Sequence, residues 1–153
     1  MNNQIILRLE NISFEVKTGS SSQKILDNIS LEIYKSEIFG LTGESGSGKT
    51  TLGKIISGLE NQTSGKKFFN EKEYSGIESQ HKIQFLFQNY IATHDPLQKI
   101  DSAFNEILKL KKEPSSNWYK LKKEFLNVVG LSDEVLGFYP GQLSGGQLQR
   151  LAL

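Results

Sequence analysis

The stretch GESGSGKTT at 43–51 limits what this chain can fold into more than any other part of it. It follows directly on the apolar run Ile38, Phe39, Gly40, Leu41 and is almost free of large side chains. Glycine loses more conformational freedom on folding than any other residue, so a glycine-rich loop is kept where the backbone must turn sharply or approach something closely. Gly43, four residues, then Gly48, Lys49 and Thr50 fit the G-x-x-x-x-G-K-[ST] phosphate-binding pattern (Walker A), which needs a strand before it and a helix after it. Both are predicted. The run at 38–41 reads as a fully buried strand. Leu52, Ile55, Ile56 and Leu59 recur at i, i+3, i+4 and i+7, one face of a helix with Gly58 as its cap. Residues 48–51 then make that helix's first turn, whose free N–H groups and positive dipole end point at whatever the loop encloses. Lys49 is expected to reach the β- and γ-phosphates of a nucleotide, and the Thr50 hydroxyl to hold Mg²⁺. The alternative for the same residues is a flexible Gly/Ser loop with a solvated lysine.

Composition narrows the rest. At 153 residues and 37% hydrophobic, the chain can bury one ordinary core, with room for a small subdomain. Eighteen basic and seventeen acidic residues leave a net charge of +1, so no overall field argues for nucleic acid or an anionic membrane. The lysine pairs at 111–112 and 122–123 read as solvated helix faces. There is no cysteine, which excludes disulfides and thiolate metal sites. The start MNNQIILRLE does not read as a signal peptide, and no run reaches the ~18 apolar residues of a membrane span. A soluble, cytoplasmic protein is expected.

Leu7, Leu9, Ile12, Phe14 and Val16 form two alternating stretches interrupted at Glu10 and Asn11, the pattern of half-buried antiparallel strands. KTGSSSQK reads as a polar loop. Ile29, Leu31 and Ile33 alternate again before YKSE turns the chain. After the phosphate-loop helix, NQTSG is a turn, Phe68 and Phe69 mark a short strand, and KIQFLFQ at 82–88 reads as a strong strand. From Ile100 the period becomes helical. Ile100, Ala103, Phe104, Ile107 and Leu108 make one face, KKEPSSN breaks it, and Trp118, Leu121, Phe125, Val128 and Val129 make a second that ends at Gly130. Trp118 and its neighbours read as core rather than as a ligand site.

A second bare backbone lies at LSGGQ, 143–147. Ser144 followed three residues later by Gln147 is a capping-box pattern, which starts a helix with Ser144 as its N-cap and Leu148, Leu151 and Ala152 on its apolar face. Taken alone, these residues fit an ordinary capped helix. Beside the upstream phosphate loop they read as a second anion-binding helix end.

With these motifs in hand, the chain resembles the ATP-binding subunits of ABC transporters from about Leu9 to its last residue. The shared features are the phosphate loop at 43–50, the glutamine loop at Gln88 after KIQFLF, and the signature LSGGQ followed by LQR, in the family's order and at about its spacing. GESGSGKTTLGKIISGLE, FQNYIATHDP and YPGQLSGGQLQR are most similar to the subfamily energising importers of oligopeptides, dipeptides and nickel or metal chelates. The resemblance implies an α/β fold: a P-loop NTPase core with an antiparallel β subdomain and a helical subdomain, without the C-terminal part of the core. The parts would be about 1–88 for the β subdomain and phosphate-loop core, about 89–142 for the helical subdomain and 143–153 for the signature helix. It implies ATP and Mg²⁺ as cofactors, bound by Gly43, Glu44, Ser45, Gly46, Ser47, Gly48, Lys49, Thr50 and Thr51. Ser144, Gly145, Gly146 and Gln147 would close over the nucleotide of a second ABC ATPase subunit, identical or different, packed head to tail. Lys49 and Gln88 would serve catalysis, and Thr50 and Gln88 the metal. Integral membrane permease subunits would be the other partners, with the chain peripheral on the inner face of the cytoplasmic membrane and no nucleic acid involved.

The match departs in places. The strand with the Mg²⁺-coordinating aspartate and catalytic glutamate, the dimer-contact loop and the switch histidine find no counterpart in these residues. Glu44 sits where the family tolerates many residues and is no base candidate. The adenine-stacking aromatic aligns with Val16, leaving Phe14 as a substitute, and the turn glycine before the phosphate-loop strand is Ser36, which implies strain. His81 and His94 match no functional position and read as surface residues. Two other readings stand beside an importer ATPase: a non-catalytic nucleotide-binding remnant, and a soluble ABC-type ATPase unconnected with transport.

Overall fold

Alternating apolar residues build the first part of the chain into a long hairpin, β1 (Ile5–Thr18) and β2 (Ser21–Tyr34), paired antiparallel. The alternation slips because Leu9 and Ile12, three residues apart, are both buried. A bulge between them resolves this: Asn11 takes a left-handed φ of 51°, its N–H donates to Ser30 Oγ at 2.9 Å, and the register shifts so that both side chains face the core. Gly65 lies against this bulge, where an added Cβ would stand 2.5 Å from the Asn11 carbonyl oxygen. The computed structural model describes residues 4–19, 21–75, 83–89 and 94–153. Its chain divides into two compact units, Met1–Phe85 and Leu86–Leu153.

In the first unit the sheet order is β2-β1-β3-β4, with β3 at Ser64–Phe69 and β4 at Lys72–Glu73. Asn70 and Glu71, both at positive φ, turn β3 into β4. Helix α1 (Lys49–Ser57) completes the core by packing Leu52 and Ile55 onto Leu9, Ile12 and Leu26. Burying each such side chain contributes on the order of 1.5–3 kcal/mol. The helix ends as expected. Gly58 adopts φ 78°, its N–H donates to the Ile55 carbonyl, and the Leu59 N–H donates back to Lys54 at 2.9 Å, a Schellman turn. That turn carries Leu59 off the helix face, so Leu59 is exposed rather than packed.

The second unit contains α2 (Ile100–Leu110), α3 (Trp118–Val128) and α4 (Gly145–Leu151), joined by short 3-10 turns. Its core gathers Ile100, Leu126, Leu131, Val135, Leu136, Leu143 and Leu148. Phe104 and Phe125 meet edge to face at 5.3 Å between α2 and α3. Gly130 closes α3 with a second Schellman turn, at φ 67°.

Several sequence expectations are corrected. The apolar run at 38–41 is not a strand: residues 37–44 are irregular, Ile38 is fully exposed and Phe39 and Leu41 are partly so. The predicted strand at 82–88 is likewise absent over the described residues 83–88, and Leu86 and Phe87 are exposed. A strand is made by its ladder, and the described sheet, β2-β1-β3-β4, takes in neither run. The polar loop at 17–24 is shorter than expected, because Thr18 pairs with Ser21 and Lys17 with Ser22. Ile107 and Val128 fall outside the buried faces of their helices, and Lys122 falls inside one. Lys122 is not solvated; its ammonium pairs with Asp101 and ties α3 to α2.

Candidate functional site

The phosphate loop runs from the irregular segment 37–44 into α1, and its backbone requires glycine. Gly46 and Gly48 stand at φ 83° and 89°. At Gly48, the N-cap of α1, a Cβ would also lie 2.7 Å from Leu26 Cδ2 of β2, so the loop is seated directly on the sheet. At Gly43 a Cβ would meet Ser47 Oγ at 2.8 Å, inside the loop's own concavity. Ser47 N–H closes the turn onto the Glu44 carbonyl.

Lys49 gathers this loop. Its ammonium donates to the Gly43 carbonyl at 2.8 Å, the Glu44 carbonyl at 2.6 Å and Ser47 Oγ at 3.2 Å. A cation thus lies over a loop of main-chain groups at the positive end of a helix, which is what a phosphate chain requires of a site. Glu44, Ser45, Gly46, Ser47 and Thr50 are exposed, and Thr51 is half-buried in the first turn. Thr50 offers its hydroxyl next to Lys49. Among the described residues no three His, Cys, Asp or Glu side chains cluster to hold a metal.

The opposite end of α1 is held by residues that sequence reading missed. Lys67 of β3 is 1% exposed, and its ammonium donates to the Ile55 carbonyl at 2.7 Å. It also stands 5.1 Å from the centre of the Tyr74 ring, and the Tyr74 hydroxyl donates to the Ile56 carbonyl at 2.8 Å. Burial pushes the Lys67 ammonium below the ordinary lysine value and the Tyr74 phenol above its own. Within SGKKFF nothing distinguishes a buried lysine from its exposed neighbour Lys66. The signal is the contact with α1, which only the fold supplies.

In the second unit the signature residues form the expected capping box. Ser144 Oγ accepts from Gln147 N–H at 3.3 Å, while the Ser144 N–H donates to Gln147 Oε1 at 2.8 Å. Ser144, Gly145 and Gly146 are exposed, Gln147 is half-buried, and Leu148 anchors the helix in the core. Gln88 lies exposed in the irregular segment 83–89 rather than at a strand end. In the first unit Val16 is exposed, whereas Phe14 packs against the core. Trp118 is half-buried, its Nε1 donating to the Glu113 carbonyl. His81 lies outside the described residues. His94 is half-buried rather than on the surface, and its Nε2 is buried without a hydrogen-bond partner among the described residues. No helix of the described residues is long and apolar enough to cross a membrane.

Comparison with known proteins places this arrangement. Residues 26–153 match the family described as ABC transporter. The oligopeptide transport ATP-binding protein OppF of Streptococcus mutans is 35% identical over 162 residues, taking in 99% of this chain and 52% of that protein. The lipoprotein-releasing system ATP-binding protein LolD of Buchnera aphidicola is 33% identical, over 99% of this chain and 68% of that protein. A solved dimeric ATP-binding cassette, in a post-hydrolysis state with ADP and Pi bound, has a TM-score of 0.81 at 28% identity, covering 96% of this chain and 67% of that one. The chain therefore has the cassette fold, and it spans about half the length of its oligopeptide-transport relative. By the family match across most of its residues, on top of the phosphate loop and the capped signature helix, this chain belongs to the ABC transporter ATP-binding family.

Proposed function

We propose that this chain binds ATP and, paired with a second subunit, takes part in its hydrolysis as an energising subunit of an ABC-type importer, with peptides or nickel or metal chelates as cargo. The observation that carries the reading is Lys49, held on the carbonyls of Gly43 and Glu44 at the start of α1, where incoming phosphate oxygens would take over its ammonium. Thr50 would supply a protein oxygen to Mg²⁺, which when bound neutralises charge on the phosphates. The signature residues 144–147 serve the nucleotide of a second, head-to-tail ATPase subunit, and permease subunits hold the pair at the inner face of the cytoplasmic membrane. A dimeric relative with ADP and Pi bound supports the pairing. The cargo class rests on the stretches GESGSGKTTLGKIISGLE and YPGQLSGGQLQR and on the name of the oligopeptide-transport relative.

Titration calorimetry with Mg-ATP tests this. Charge-assisted hydrogen bonds contribute about 1.5–3 kcal/mol each, so Lys49→Ala should weaken binding by at least about tenfold while the chain stays folded. Equal affinities in the two proteins would remove the assignment.

A further inference from the structure

We propose that Lys67 and Tyr74 are positioning residues for the nucleotide, acting on its phosphates through α1 without touching them. The carbonyls of Lys54, Ile55 and Ile56 at the end of α1 are each met. Lys54 and Ile55 accept from N–H groups of the closing turn, Ile55 accepts a second bond from the Lys67 ammonium, and Ile56 accepts from the Tyr74 hydroxyl. The two side-chain bonds come from the sheet side, from β3 and the residue just after β4.

A cation at a helix C-terminus meets the negative end of the dipole whose positive end, here, faces the phosphate loop. The two ends are close. Ile55 lies six residues beyond Lys49, about 9 Å along the axis at 1.5 Å per residue. Burial at 1% exposure keeps the Lys67 charge from being screened by water as a surface lysine would be. The bonds also fix where α1 stops, and with it where Lys49 and Thr50 begin. A buried ammonium is expensive, and replacing such groups by apolar residues of similar size is often neutral or stabilising. If Lys67 served only the fold, methionine would serve it as well, and the lowered lysine pKa agrees that stability is not what the charge provides.

This inference rests on the phosphate-site reading above, and the test separates the two. Mg-ATP affinity and melting midpoint are measured for the full chain, Lys67→Met and Tyr74→Phe. Lys67→Met should melt at or above the original temperature and bind about tenfold more weakly, since a unit charge some 10 Å from the phosphates acts at that scale in a medium of effective dielectric constant about 20. Tyr74→Phe keeps the ring and the charge, removes the bond to Ile56, and should weaken binding about threefold. A folded Lys67→Met with the original affinity overturns the proposal. So does an affinity loss accompanied by a matching loss of melting temperature. If Lys67→Met does not fold, unchanged affinity in Tyr74→Phe overturns it alone. Absence of ATP binding by the original chain would instead withdraw the phosphate-site reading, and this proposal with it.

Discussion

Ser36 stands at φ 64° in the turn after β2, a left-handed conformation that costs a residue with a Cβ roughly 1–2 kcal/mol. The turn is held around it rather than by it. Glu37 donates its N–H to the Tyr34 carbonyl and accepts the Tyr34 N–H on its own carboxylate at 2.7 Å. Ser36→Gly should therefore stabilise the chain by about 1 kcal/mol, less the entropy glycine adds to the unfolded state. Urea denaturation midpoints decide it, and a lower midpoint would show that the serine hydroxyl makes a bond worth more than the strain. This strain was legible from the sequence because a turn position has known conformational demands. So was the place of Lys49 in the first turn of α1. The environments of Lys67 and Lys122 were not, since each sits in a lysine pair that looks solvated, and only contact with α1 or Asp101 distinguishes it.

Among the elements, helices were read better than strands, for a physical reason. A helix satisfies its hydrogen bonds within its own segment, so period and caps in the sequence suffice. The glycine stops at Gly58 and Gly130 and the Ser144–Gln147 capping box all stand where the residues put them. Strands take their bonds from elsewhere, and the runs at 38–41 and 83–88, apolar but outside the described sheet, show that hydrophobicity alone makes no strand. Helix α4 also allows a clean experiment. An added Cβ at Gly146 meets nothing within 4 Å, and a carboxylate in a helix's first turn suits the dipole, so Gly146→Asp should leave fold and capping intact. If the signature faces the γ-phosphate held by a partner subunit, the same carboxylate opposes it there, where like-charge contacts cost several kcal/mol. The expected outcome is unchanged ATP affinity within the chain and loss of ATP-driven pairing with a partner ATPase subunit. Unaltered ATP-driven dimers in sedimentation would refute the head-to-tail arrangement.

For the whole molecule, binding and turnover make different demands. Cradling phosphates takes main-chain N–H groups and a cation, the part proposed above for residues 43–50 with Lys49 as the cation. Hydrolysis also needs a group that orients and deprotonates the attacking water, help typically worth ~10²–10⁴-fold. Glu44 is the carboxylate inside the loop. Its main-chain oxygen engages Lys49, and its side chain is exposed. Family resemblance assigns the water-activating role to no other carboxylate among these 153 residues. The chain by itself should therefore bind Mg-ATP and release phosphate at a rate indistinguishable from Lys49→Ala. A phosphate-release assay on monodisperse protein, with that variant as the blank, measures this directly. Turnover that depends on Lys49 and survives Glu44→Gln would mean that another residue of this chain activates the water. Turnover that Glu44→Gln abolishes would assign that role to the loop carboxylate, and in either case the separation of binding from hydrolysis would fall.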